Sequence, residues 1–298
     1  MKFDLPWRIH WRPGDPVDDK IVASILQCRP LAVILEIERV GQLDPLRLPW
    51  EGVLAVIVYR GWRRPDRGVV AGQAGRWEFP VDGPGEAKSL ADGCFLGLSP
   101  AEAAFRWYPG KGHLRDLAAI LKVVRDSGCG LTLPNRPAGD ITSQGSDAFP
   151  DVREFTDDLL TELKGFTSVL RSDRVRVHDF ILTEALGLEG VEPQGCEAGN
   201  SMAFVDPDGR VYPCETLMVP LGDLRNERFE DIWASPLRQR IRRDVASIPR
   251  FCSQCPDLGR CRAGCRGAVY HLKGHYGAPD PLCPMDVKDL YERKDDIP

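Results

Sequence analysis

Seven of the ten cysteines fall in the last third of the chain, at Cys196, Cys214, Cys252, Cys255, Cys261, Cys265 and Cys283. They read as Cys-x12-Gly-x4-Cys, a gap of 37, Cys-x2-Cys-x5-Cys-x3-Cys, a gap of 17 and a last Cys. Two thiolates separated by two residues wrap one metal centre with a single tight turn. Sulfur-only sites of this density suit zinc or iron–sulfur clusters. In a compartment that keeps thiols reduced, such clustering points to metal before disulfides. Cys28, Cys94 and Cys129 lack ligand-like spacing and sit beside apolar stretches, so they are expected to be plain buried residues.

Other candidate chemistry is sparser. His178-Asp179 is the best acid–base pair outside the cysteine region. Neighbours on a strand face opposite ways, so the pair does not make a dyad and a structural role is expected for His178. Cys252-x2-Cys255-x15-His271-x3-His275 approximates a zinc-finger spacing, but the interval is long and Cys261, Cys265 and Cys283 would be idle. Arg238, Arg240, Arg242, Arg243 and Arg250 form a basic stretch. It reads as a solvated helix face, or more sharply as a docking surface for an acidic leader peptide or partner.

The elements that position these residues follow from hydrophobic patterning. A chain of 298 residues with 43% hydrophobic and 28% charged side chains builds a true core. Its 39 basic against 44 acidic side chains argue against nucleic-acid binding, which uses a basic excess. No apolar run approaches the roughly 20 residues that cross a bilayer. Asp4 and Arg8 interrupt the N-terminal stretch where an export signal would need apolar residues, so a soluble, cytoplasmic protein is expected. Six runs read as strands: Arg8–Trp11, Leu31–Glu38, Val53–Arg60, Cys94–Ser99, Leu131–Asn135 and Val175–Leu182. LAVILEIE and VLAVIVYR are nearly continuous in apolar residues, as strands covered on both faces should be.

Helical patterns fall between the runs. They occupy Val17–Gln27, Leu114–Asp126 (ending at Ser127-Gly128) and the stretch marked by Phe155, Leu159, Leu160 and Leu163. Alternating strand and helix implies a parallel sheet, open or curled into a barrel. Arg64–Gly93, rich in Gly and Pro, reads as loop or hairpin. Val205–Val211 reads as a hairpin with Asp-Gly in its turn, which would deliver Cys214 to the site. Phe229, Ile232 and Trp233 look like anchors of a short helix, and Trp107-Tyr108 like core or turn packing.

Four stretches carry a resemblance: VDPDGRVYPC (Val205–Cys214), GDLRNERFEDIWASP (Gly222–Pro236), CSQCPDLGRCRAGCRG (Cys252–Gly267) and DPLC (Asp280–Cys283). Together they resemble the seven-cysteine SPASM domain that follows the barrel of peptide-modifying radical SAM enzymes. The resemblance implies an α/β fold, a degenerate partial (βα)6 TIM-like barrel over residues 1–190. A small cysteine-rich SPASM domain (α+β with a β-hairpin) would follow over 191–298, with a linker in Gly187–Gly195. It implies two auxiliary [4Fe-4S] clusters. Cys196, Cys214 and Cys265 would hold the first, and Cys252, Cys255, Cys261 and Cys283 the second. Some relatives have a further cysteine just before the position of Cys196. Gly187–Gly195 has none, which leaves an open or substituted iron position with Glu189 and Glu192 as nearby oxygen donors.

Two departures from the family bear on activity. Its Cys-x3-Cys-x2-Cys motif belongs after the first strand, where this chain has HWRPGDPVDD (His10–Asp19). Its Gly-Gly-Glu motif belongs after the second, where Arg39-Val40-Gly41-Gln42 stands. The resemblance therefore implies no SAM binding, no radical SAM chemistry and no independent catalysis. It is similar to the SPASM-only members of bacterial peptide-maturation systems, including the GeoRSP type. The partners so implied are a catalytic radical SAM/SPASM protein, a PqqD-like peptide-recognition protein and a precursor peptide, with ferredoxin or flavodoxin as electron carrier. The role would be that of an accessory redox or scaffold protein. Two other readings stay open: a zinc-stapled peptide- or protein-binding module, and an enzyme that uses the open iron site.

Overall fold

Apolar runs in β2 and β3 and period-two alternation in strands such as Arg76–Pro80 set which faces of the sheet are buried. The computed structural model describes residues 4–48, 50–61, 75–93, 98–154, 156–188, 195–283 and 285. Seven strands run in sequence: β1 (Arg8–Trp11), β2 (Ala32–Ile37), β3 (Leu54–Tyr59), β4 (Arg76–Pro80), β5 (Ala103–Arg106), β6 (Gly130–Leu133) and β7 (Val175–Val177). Each pairs in parallel with the next. On the other side of β1, β8 (Met202–Val205) also pairs in parallel, Arg8 opposite Met202. The antiparallel β9 (Arg210–Tyr212) and β10 (Gly222–Asp223) complete a ten-stranded sheet. The expected α/β class with mostly parallel strands is thus the observed one, and the cysteine-bearing hairpin continues the same sheet.

One face of the sheet is apolar. Ile9, Trp11, Val33, Leu35, Ile37, Ile57, Trp77, Phe105 and Leu131 are at most 1% exposed. They form one core with Ile21 and Ile25 of α1 (Asp19–Gln27) and with Leu117, Ile120, Leu121 and Val124 of α3 (Asp116–Ser127). Burying each such side chain is worth about 1.5–3 kcal/mol. Asp18 caps α1 by accepting from the Lys20 N–H, and Gly128 ends α3 in the left-handed conformation, φ 77°.

The helices expected from periodicity form within two residues of their expected bounds where described. Phe155 lies outside the described residues, and the helix it marked is α5 (Asp157–Lys164), capped by Thr156. The remaining helices are α2 (Pro84–Asp92), α4 (Ala138–Gln144), α6 (Thr167–Leu170), α7 (Phe180–Ala185), α8 (Phe229–Ala234), α9 (Pro236–Ala246), α10 (Leu258–Cys261) and α11 (Arg266–Lys273).

One loop and two strand assignments need correction. The described part of Arg64–Gly93 is not a loop or hairpin but holds β4 and α2. Of Cys94–Ser99, residues 94–97 lie outside the described residues and Leu98-Ser99 is not strand; the strand is β5, a few residues later. Val175–Leu182 is strand only to Val177 and turns helical at Phe180. Both missed strands have the sequence of a charged interior: RWEFP alternates Arg76 and Glu78 with Trp77 and Phe79, and AAFR ends in Arg106. Cys28 and Cys129 are buried as expected, 5% and 0% exposed, whereas Cys94 lies outside the described residues. Among the described residues, no helix is long and apolar enough to cross a membrane.

Candidate metal centres

Each of the seven late cysteines sits at the end of a short, well-anchored element. Cys214 follows β9, and the β8–β9 turn is fixed by Asp206. Its carboxylate accepts from the Asp208 N–H (3.0 Å), the Arg210 N–H (2.9 Å) and the Tyr212 hydroxyl (2.9 Å). The expected hairpin thus forms and leads directly into Cys214. Cys196 lies in a loop held by Arg242, which donates to the carbonyls of Cys196 (2.6 Å) and Ala198 (2.9 Å). Cys265 caps α11, Cys261 ends α10, and Cys252 opens the turn that leads to Cys255. Cys283 follows a turn in which its N–H donates to the Asp280 carbonyl (2.9 Å).

The thiols act on one another in two sets. Cys214 and Cys265 are each pushed up by burial and by Cys196, Cys265 by Cys214 as well, and Cys214 reaches about 12. Burial raises Cys252 to about 11, with Cys261, Cys283 and Cys255 adding to it; burial likewise raises Cys261 and Cys283 beside Cys255. Backbone donors already face most of these sulfurs. The N–H groups of Ala198 and Arg266 serve Cys196, those of Thr216 and Leu217 serve Cys214, and those of Ala268, Ala263 and Met285 serve Cys265, Cys261 and Cys283. Such donors stabilise thiolate rather than thiol. Metal binding needs the thiolate, so these donors, with a bound cation, would offset the burial that holds the thiols protonated.

The first set opens on a cavity of about 320 Å³ lined by Cys196, Cys214 and Cys265 together with Trp7, Arg8, Asn135, His178 and Ser201. Arg8 is drawn there by Glu215, Cys214 and Glu197 against the cost of burying its charge. The Ser201 hydroxyl on that wall is buried with no hydrogen-bond partner among the described residues.

Beyond the cavity, the polar face of the sheet carries a charge network that sequence reading missed. His10 lies between two carboxylates, Nε2 3.0 Å from Glu36 and Nδ1 2.8 Å from Glu215. Burial alone would lower its pKa, but Glu215 and Glu36 outweigh it and hold it up at about 9. Against its own burial, Glu215 is held down to about 2 by His10 and Arg106. Arg12 (2.8 Å) and Arg60 (2.6 Å) complete the pairing of Glu36. Glu78 takes Arg106 (2.9 Å), Thr132 (2.6 Å) and Arg76 (3.4 Å). Gly130 leaves room for that Arg76 guanidinium, since a Cβ there would lie 2.7 Å from its nitrogen. His10, Glu36 and Glu215 have donor atoms close enough for a cation. The surrounding guanidinium groups and the doubly engaged imidazole already neutralise them, so the cluster is an ion network. The signal was present: a His and a Glu amid apolar strand residues must be paired to be buried.

The other candidates resolve as follows. The loops after β1 and β2 are tied together: Gln42 donates to the Pro13 carbonyl (3.0 Å), and Arg39 pairs with Asp15. Asp179 accepts from the Leu182 N–H (3.0 Å) at the start of α7, while His178 lines the thiol cavity. Burial and the charges of Arg106 and Arg8 depress His178 to about 4. The basic stretch divides. Arg238, 3% exposed, donates to the Gly199 carbonyl (2.7 Å) and stacks on Trp233, and Arg242 holds the Cys196 loop, so neither belongs to a solvated or docking face. Arg240, Arg243 and Arg250 are exposed. Phe229, Ile232 and Trp233 are each 1% exposed anchors, and Trp107 is core at 2%. Glu189 and Glu192 lie outside the described residues.

Comparison with known proteins places this geometry. The SPASM model, an iron–sulfur cluster-binding domain, matches residues 196–256. AdoMet-dependent heme synthase of Methanosarcina barkeri is 34% identical over 90 residues, 30% of this chain and 26% of that protein. Mycofactocin maturase MftC of Mycobacterium tuberculosis is 26% identical over 155 residues, 50% of this chain and 38% of that protein. The match therefore spans between a quarter and two-fifths of these relatives. In fold, the chain is similar to Streptococcus suis SuiB bound to precursor peptide SuiA. The TM-score is 0.63 at 11% identity, over 95% of this chain and 77% of that one. It is also similar to anSMEcpe with bound AdoMet and Cp18Cys peptide, with a TM-score of 0.62 at 13% identity over 96% of both chains. Residues 196–256 thus match an iron–sulfur cluster-binding SPASM domain, and the fold of the chain is similar to that of SuiB and anSMEcpe.

Proposed function

We propose that this protein is an accessory redox or scaffold partner of a radical SAM peptide maturase and does not cleave SAM itself. Cys196, Cys214 and Cys265 would hold a first [4Fe-4S] cluster, and Cys252, Cys255, Cys261 and Cys283 a second. The barrel would span residues 1–190 and the cluster domain 191–298. When bound, the clusters supply reversible one-electron storage. The chain supplies the thiolates, the backbone donors around them and a charged cavity wall. The observation that carries the accessory role is the segment after β1. Arg12–Asp19 offers no cysteine, and its Pro13 carbonyl and Asp15 carboxylate are held by Gln42 and Arg39. The partners would be a catalytic radical SAM/SPASM protein, a PqqD-like protein, a precursor peptide and a ferredoxin or flavodoxin, in the cytoplasm.

The first test is the iron, zinc and acid-labile sulfide content of protein purified without oxygen. About eight iron and eight sulfide per chain support the reading, whereas one or two zinc without sulfide would make the protein a metal-stapled binding module. Reductant and SAM added to the iron-loaded chain should yield no 5′-deoxyadenosine; its formation would overturn the accessory role. The cavity favours a second reading, an enzyme working at an exchangeable iron facing Arg8 and His178. Turnover of a peptide without any partner protein would select it.

A further inference from the structure

Two buried, oppositely charged side chains lie between the two cysteine groups. Arg266 directly follows Cys265 and is 1% exposed. Its guanidinium donates to the carbonyls of Tyr276 (2.9 Å) and Ala278 (2.8 Å) and closely to that of Ala263. Carbonyls take up its two terminal nitrogens, its Nε is buried without a partner among the described residues, and no carbonyl cancels its charge. Asp280, 6% exposed, accepts from the backbone N–H groups of Cys265 (2.5 Å) and Leu282 (2.7 Å). One carboxylate thus grips a residue of the first group and the turn that presents Cys283 of the second.

The strap from Cys261 to Cys265 closes around this pair. Arg262, Ala263 and Gly264 follow one another at φ 49°, 66° and 68°. Such a left-handed run is unfavourable for each non-glycine residue, and it persists where the surroundings impose it. At Gly264 a Cβ would lie 2.3 Å from the Asp280 carboxylate. The strap passes Cys261 to one group and Cys265 to the other, with Arg266 and Asp280 inside the bend. The Arg266 N–H faces Cys196 of the first group, and its guanidinium closes on the carbonyl of Ala263, whose N–H faces Cys261 of the second.

We infer that Arg266 is a positioning residue shared by the two centres, whose buried cation, opposed by Asp280, sets both reduction potentials together. This rests on the reading that both groups hold iron–sulfur clusters. Each centre takes one electron from a reductant, so reduction adds negative charge in a volume poor in water. A fixed cation there favours the reduced state and a fixed anion opposes it. Arg242 provides the contrast, because it reaches the cysteines through the Cys196 loop of the first group.

The test is an EPR-monitored redox titration of the anaerobically reconstituted full chain, with iron and sulfide measured for every preparation. Arg266→Met should move both centres to more negative potentials, and Arg266→Lys should stay near the unmodified protein. Asp280→Asn should move both upward, and Arg242→Met should move the first alone. The inference is overturned if Arg266→Met and Asp280→Asn leave the potentials in place or shift one centre only. It is equally overturned if Arg266→Lys shifts them as far as Arg266→Met, since shape rather than charge would then be at work. Should Arg266→Met fail to retain iron, Asp280→Asn and Arg266→Lys decide by the same criteria. Unmodified protein without sulfide would refute the iron–sulfur reading itself, and this inference with it. Normal cluster content with unmoved potentials would refute the inference alone.

Discussion

The imidazole of His10 should make this fold sensitive to alkali. Both ring nitrogens lie within 3.0 Å of buried carboxylates, so both must donate and the folded state holds the protonated form. Its pKa rises from an ordinary 6.5 to about 9 in the folded chain. A raised folded pKa contributes stability that is complete below about 6.5 and disappears as pH climbs through about 9. At 1.36 kcal/mol per pH unit the interval corresponds to about 3 kcal/mol, of which about 2.5 kcal/mol is still present at pH 7. For a chain of this size that is roughly 5 °C in Tm. The assay compares thermal unfolding of the unmodified protein and His10→Gln at pH 7 and pH 10 under one set of metal-loading conditions. Glutamine keeps an N–H donor, and Glu36 retains Arg12 and Arg60 while Glu215 retains Arg106. Lysine, tyrosine and thiol titrations common to both proteins cancel in the difference. The unmodified protein should lose about 5 °C more than the variant over this range; parallel pH profiles would refute the buried imidazolium.

Three further outcomes follow from other parts of the molecule. Cys255→Ala or Cys261→Ala should each remove about half of the bound iron and lower the melting temperature, because metal binding and folding are coupled in such sites; full iron content with unchanged stability would show the ligand assignment to be wrong. Gly264→Ala places a methyl against the Asp280 carboxylate in a left-handed residue, so a loss of about 2–4 kcal/mol in chemical denaturation is expected, and a change below 1 kcal/mol would discount the strap. Glu78→Gln leaves Arg76 and Arg106 without their shared carboxylate and should cost about 3–5 kcal/mol, measured by urea unfolding at pH 7.

Legibility in the sequence tracked how local the determinant was. The cysteine groups and the Asp206–Gly209 turn depend on residue type and short spacing, and the hairpin forms where the sequence places it. Strands β2 and β3 were evident because both their faces are apolar over most of their length. Strands β4 and β5 were not, since Arg76, Glu78 and Arg106 turn toward a polar interior and break the apolar pattern that marks a buried strand. What defeats reading by eye is distance along the chain. Glu215 is meaningless until β8 lies on β1 and brings it to His10, more than 200 residues earlier. Arg238 and Arg242 look solvated on a helix ladder of arginines, and only packing shows that they hold the loop from Cys196 to Gly199.

Glu215 explains how the cysteine-bearing hairpin is held to the parallel strands. It is the residue after Cys214, and its side chain is bound to the polar face of the sheet by His10 and Arg106. Its backbone carbonyl accepts from the Ala138 N–H at 3.1 Å, and the hydroxyl of the next residue, Thr216, donates to the Arg136 carbonyl at 2.9 Å. Two consecutive residues directly after a candidate ligand, Glu215 and Thr216, are therefore fastened to β1, to β5 and to the segment that follows β6. A charge network of this kind is costly to bury and gives little net stability compared with apolar packing. Its retention is better explained by geometry: it fixes the position of Cys214 relative to β1, so the barrel wall serves as a frame for the thiol cavity. On this argument the barrel and the cysteine module constrain each other, and disrupting the interior ions should disturb the environment of the first thiol set before it disturbs the second.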